Sequence, residues 1–132
     1  MAGLDSGLLL KMAEVFYTRA REEFEKALAT GDTVGVRDAA EKAWNAVVHA
    51  VDALILKYGE ALPTSHFERR RRLRELERRV KEIEKLGLLD RYMARHKVLH
   101  GETFYEGLID VEQLKTEIEK VKKMIEDIKT LI

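Results

Sequence analysis

Cysteine is absent from this 132-residue chain. That excludes a disulfide scaffold, a thiol nucleophile, a Cys-ligated zinc and an iron–sulfur cluster. Proline occurs once, at Pro63, and no alternating β-branched run exists, so a sheet is not expected. No apolar run reaches the roughly 18 residues that a membrane helix needs. Leu8-Leu9-Leu10 is too short for a signal-peptide core and follows no basic residue. The expectation is a soluble, cytoplasmic protein with no membrane partner. Amide side chains are nearly missing as well: Asn45 is the only asparagine and Gln113 the only glutamine. With 36% charged residues, that is the bias of heat-adapted proteins, in which labile amides are scarce and ion pairs lose less on desolvation.

Net charge is also lacking, since 24 basic and 24 acidic residues cancel. The cancellation is uneven along the chain. Residues 1–63 carry −3, residues 64–100 carry +6 and residues 101–132 carry −3. A positive band between negative flanks permits an anionic partner. The length suits one domain over residues 1–132, whose core buries about two thirds of the unfolded surface without a staple.

The apolar residues recur at helical spacing throughout. A first helix is predicted from about Asp5 to Thr30, on Met12, Val15, Phe16, Ala20, Phe24, Ala27 and Leu28. Gly31-Asp32 then stops and restarts the chain, with Asp32 or Thr33 as cap. A second helix to about Tyr58 is apolar over more than half its circumference and therefore central. Ser65-His66-Phe67-Glu68 fits a capping box opening a third helix, with Phe67, Leu73, Leu76, Val80, Ile83 and Leu86 on one face and Gly87 as its end. A short fourth helix is predicted from about Asp90 to Gly101. After an irregular stretch, Asp110 caps a fifth. The expected architecture is an all-α, up-and-down bundle of about five helices. The short fourth helix is too small to cover the stripes of the second and fifth, so a homodimer is expected.

Three groups of residues invite a chemical reading. His96 and His100 stand one helical turn apart, close enough to share a metal, but no third ligand has suitable spacing. Neither a metal nor any other cofactor is therefore expected, and His96 falls on an apolar stripe with Leu89, Met93 and Leu99. Arg69, Arg70, Arg71, Arg72, Arg74, Arg78 and Arg79 form the densest basic run. Part of it must be a solvated face paired with Glu68, Glu75, Glu77 and Glu82, because consecutive residues cannot share one side of a helix. The functional alternative is phosphate contact through Arg69, Arg70, Arg71, Arg74 and Arg78, which gives affinity without sequence information. Asn45, His49 and Asp52 make a polar line at i, i+4 and i+7. That line either supports His96 and His100 or forms the solvent edge of the second helix. Trp44 and Tyr58 read as core.

Arg95-His96-x-x-x-His100 resembles the Arg–polar–x₃–His signature of the HEPN superfamily of small helical bundles. Leu99-His100-Gly101 and Phe104-Tyr105-Glu106 are similar to a motif of its archaeal branch, the PaREP-type Pa-repeat proteins, as is the segment from Ala39 to Val47. The resemblance covers about residues 10–130. It implies an RNA-acting protein: a metal-independent, toxin-type endoribonuclease, or a non-catalytic module partnering a nucleotidyltransferase. It also implies a cleft between subunits. His100 would be the acid/base at a ribose 2′-OH, and Arg95 would stabilise charge on the phosphate. His96 fills the polar position and Tyr105 the downstream aromatic. Where the toxin branch carries a tyrosine two residues after the histidine, this chain has Glu102. On a straight helix Arg95 and His100 lie roughly 140° apart. A helix end at Gly101, or a site shared across a dimer, is needed to bring them together.

Overall fold

The computed structural model describes residues 4–132. Among them the chain forms six α-helices and one π-helical stretch, and no strand. Helix α1 (Ser6–Thr30) and helix α2 (Thr33–Lys57) make a long antiparallel hairpin. Asp5 caps α1 by accepting from the Leu8 N–H. The turn needs Gly31, whose φ of 68° is a left-handed conformation that a side chain would strain. Asp32 caps α2 by accepting from the Gly35 N–H at 2.9 Å.

Helix α2 is the centre of the bundle, packed against α1, α3, α5, the π stretch and α6. Its interior residues Ala43, Trp44, Val47, Ala50, Val51, Leu54 and Ile55 are at most 1% exposed. Small alanines let the neighbouring helices approach closely, and the larger residues fill the gaps between them. Helix α6 (Val111–Lys129), capped by Asp110, buries Leu114, Ile118, Val121, Met124, Ile125 and Ile128 against α2 and α1. Both broad stripes are thus covered within one chain.

The predicted third helix is in fact two, α3 (His66–Arg79) and α4 (Lys81–Leu86). They are divided at Val80, whose backbone is extended at φ −124° and ψ 109°. Leu73, Leu76 and Ile83 are buried as expected, but Phe67 is 61% exposed and lies off the apolar face. The capping box forms with a shift. Ser65 accepts from the Glu68 N–H, but Glu68 accepts from the N–H and hydroxyl of Thr64 rather than from Ser65.

The predicted fourth helix also changes form. Helix α5 (Leu88–Arg95) continues without a break into a π-helix from His96 to Tyr105. Gly101 does not end it, and the stretch expected to be irregular is helical to Tyr105. The true stop is Gly107, at φ 73°. Long π-helices are rare and concentrate at functional sites. No helix among the described residues is long and apolar enough to cross a membrane.

Candidate functional site

The wide turn of the π-helix sets His96, His100 and Phe104 in one column. The His96 and His100 rings stack at 5.2 Å between centroids, and His100 and Phe104 at 6.0 Å. Helix α3 contributes its first residue, His66, whose ring lies 5.0 Å from that of His96 and 5.7 Å from that of His100. Trp44 of α2 forms the floor, edge-on to His66 and His96 and fully buried. Tyr92 of α5 closes the back wall 5.0 Å from Trp44. One nitrogen from each of His66, His96 and His100 lies within 4.8 Å of the other two.

Each ring is held differently. Glu41 of α2 grips Nδ1 of His100 at 2.8 and 3.1 Å. Nδ1 of His66 lies 3.2 Å from the Tyr92 hydroxyl and 3.1 Å from an Arg69 nitrogen. His96 has no hydrogen-bond partner among the described residues, and it opens onto a surface pocket of about 390 Å³ with Arg70, Met93, Ala94 and Lys97. The cluster is electrostatically tense. Burial first, then the charges of His96, Arg69 and His100, push His66 down from 6.5 to about 4. Burial, then His100 and Arg70, also lower His96. Both rings are therefore neutral at neutral pH. Burial raises the Tyr92 phenol despite the opposing Arg69. Burial opposes the Arg69 charge, but Asp52 and Tyr92 outweigh it and leave the guanidinium above its ordinary value.

The structure separates the residues singled out in the sequence into three groups. His96 and His100 share the cluster, and Tyr105, a residue 73% exposed, has its ring 5.8 Å from that of His100. Arg95 does not join them. It turns to α6, buried, and gives Nε and Nη2 to Glu117, whereas His100 faces α2. His49 stacks on Phe16 of α1 at 4.9 Å and bonds the Asn45 carbonyl, so Asn45 and His49 belong to the hairpin rather than to the cluster. The third member of their line, Asp52, pairs with Arg69 at 2.8 Å.

That pair removes Arg69 from the set able to meet a ligand, because its side chain is 8% exposed. Arg72 is tied to Glu60 and Glu68, and Arg79 to Glu60. Glu77 is used otherwise, accepting from the Leu89 N–H. Arg70 and Arg71 instead lie over the exposed Phe67 ring at 5.8 and 5.9 Å, and Arg74 and Arg78 are exposed. The free part of the run is therefore beside the cluster, on the helix that His66 begins.

Sequence spacing does not reveal His66, Glu41 or Arg37. His66 comes from 30 positions before His96, and only its place at a capped helix start hinted at a fixed position. Glu41 lies on α2, 59 positions before His100 in the chain. Arg37 of α2 donates to the Phe104 carbonyl at 3.0 and 2.7 Å and to that of Tyr105 at 3.2 Å, pinning the end of the π-helix.

Fold and site together define a small all-α bundle with an aromatic-floored histidine cluster on a π-helix, bordered by unpaired arginines. The chain belongs to the archaeal PaREP1/PaREP8 family, whose family model matches residues 8–125. No curated protein and no solved structure matches it.

Proposed function

We propose that the protein is a HEPN-like RNA-cleaving enzyme in which the Glu41–His100 pair carries the proton transfer. The observation that supports this reading is the carboxylate on Nδ1 of His100. A carboxylate there fixes the tautomer with Nε2 as acceptor and stabilises the imidazolium formed when that nitrogen takes a proton. His100 is part-buried, with its side chain 23% exposed, so it is oriented by the fold yet open to a ligand. In the reaction, the 2′-oxygen loses its proton to His100 and attacks the adjacent phosphorus. The bond to the 5′-oxygen breaks, and the same imidazole returns the proton to that leaving oxygen. The products are a 2′,3′-cyclic phosphate and a 5′-hydroxyl end.

Phosphate contact falls to Arg70, which borders the His96 pocket, rather than to Arg95, whose fork is spent on Glu117. Tyr105 offers an exposed ring on which a base can stack. Glu41 and His100 meet within one chain, so this pair needs no second copy to form.

The test is cleavage of single-stranded RNA in EDTA by freshly purified protein. His100→Ala is expected to slow it by about 10²–10⁴-fold, the usual weight of a general acid–base group. Glu41→Gln should fall in the same direction by less. Full activity in His100→Ala overturns the assignment. A second reading, a binding module for a nucleotidyltransferase or another protein, rests on the exposed Tyr105, Leu108, Ile109 and Val111 around the turn into α6. Absence of cleavage across a broad RNA panel would favour that module.

A further inference from the structure

We propose that His66, His96 and His100 form a binding site for one divalent transition-metal ion, with Zn²⁺ as the best fit. Three imidazoles from two separate elements converge with one donor atom each inside 4.8 Å. On a tetrahedral zinc with bonds of about 2.0–2.1 Å, neighbouring donors sit about 3.4 Å apart. Nδ1 of His100 is engaged by Glu41, which leaves its Nε2 lone pair for the ion, and Nε2 of His66 is the nitrogen not held by Tyr92 or Arg69. The Glu41 carboxylate behind His100 is the outer partner that metal-binding histidines regularly have, fixing the ring and raising its basicity.

His66 gains the same kind of support once its ring proton moves from Nε2 to Nδ1, where the Tyr92 hydroxyl at 3.2 Å can accept it. Arg69 can only donate and now gives an N–H to that nitrogen at 3.1 Å, so loading the ion requires this nitrogen of Arg69 to withdraw while its Nε stays on Asp52 at 2.8 Å. His96, with no hydrogen-bond partner of its own among the described residues, supplies the third donor at the pocket mouth. Neutral imidazoles without carboxylate ligands select Zn²⁺, Cu²⁺, Ni²⁺ or Co²⁺ over Mg²⁺ and Ca²⁺. Three protein ligands leave a fourth position for water or a small anion.

The site stands on this geometry alone. Its consequence for RNA rests on the cleaving reading: an ion on Nε2 of His100 occupies the lone pair that would accept the 2′ proton. The metal-loaded protein is then the silent form.

Protein stripped with EDTA and dialysed against Zn²⁺ is expected to retain one ion per chain by elemental analysis. Co²⁺ should give the intense visible absorption of a four-coordinate site. His66→Ala, His96→Ala and His100→Ala should each lose tight binding, and Glu41→Gln should weaken it about 10–100-fold. His49→Ala, outside the cluster, should bind as the parent does. No retained Zn²⁺ and only the weak octahedral Co²⁺ spectrum in the parent protein would overturn the site, whatever the variants do. Unchanged binding in any of the three alanine variants would do the same. Zn²⁺ binding with no cleavage by the stripped protein would sink the RNA reading and leave the metal site intact. Cleavage undiminished at full Zn²⁺ loading would show that His100 is not a ligand.

Discussion

Arg95 is 6% exposed and directs two guanidinium nitrogens at Glu117, which is 4% exposed. A buried pair of this kind costs much to desolvate and survives only because each charge answers the other. Removing Arg95 therefore leaves the buried Glu117 with only the exposed Lys120 at 3.8 Å. Arg95→Ala is expected to lower unfolding stability by about 3–5 kcal/mol, read by chemical denaturation. The double variant Arg95→Met/Glu117→Leu should recover most of that loss, because no charge is stranded. If Arg95 only braces α5 against α6, the double variant also keeps RNA cleavage. Cleavage abolished in a double variant that is stably folded would return Arg95 to a catalytic role.

Between elements, α5 and α6 are clamped a second time by Asp127, which accepts from Arg91 at 3.0 Å and Lys123 at 2.9 Å. Partial burial pushes the Asp127 carboxyl up, but the bonds from Lys123 and Arg91 outweigh it and hold the group below its ordinary 3.8. A carboxylate lowered by folding stabilises the fold above its unfolded value and loses that contribution as pH falls through the lowered one. Asp127→Asn should therefore cost about 1 kcal/mol at neutral pH. The gap between parent and variant should close in acid below the ordinary carboxylate range. Thermal melts at stepped pH check this, and a gap that persists in acid would remove the charge explanation.

The elements differ in how plainly the sequence announces them. The caps Asp32, Ser65 and Asp110 and the stop at Gly31 are legible because each uses a residue type with a specific backbone role. The break at Val80 carries no glycine or proline. Its N–H still bonds the Leu76 carbonyl, and its carbonyl accepts from Ile83 and Glu84, so the chain turns there without side-chain help. The π-helix is hidden for a related reason. Gly101 reads as a terminator by composition, yet there it keeps a helical backbone, and Arg37 satisfies the distant carbonyls. The site suffered most from this. Two of its histidines lie on one turn and are visible, whereas His66 and Glu41 join them only through tertiary packing.

The charge pattern of the whole molecule yields the last expectation. The positive band in the sequence survives folding only in part, because Arg69, Arg72 and Arg79 spend their charges on Asp52, Glu60 and Glu68. What remains of the run for an anionic ligand is Arg70, Arg71, Arg74 and Arg78 on α3, with Arg70 lining the pocket beside His96. Phosphate contacts of this type release counterions, so binding weakens linearly on a logarithmic salt scale, with a slope of about 0.7 per contact for single strands. Reversing Arg70, Arg71 and Arg74 to Glu should weaken binding to all single-stranded RNA sequences alike and flatten that slope by about 2. Folding should be unchanged, since Leu73 and Leu76 keep the buried face of α3 intact. A matching reversal of Arg21, Lys122 and Lys129, which line another groove between α1 and α6, should leave the affinity close to that of the parent. Equal losses from both reversals would mean that RNA senses only overall charge. An affinity untouched by the arginine reversal would make this face an ordinary solvated one.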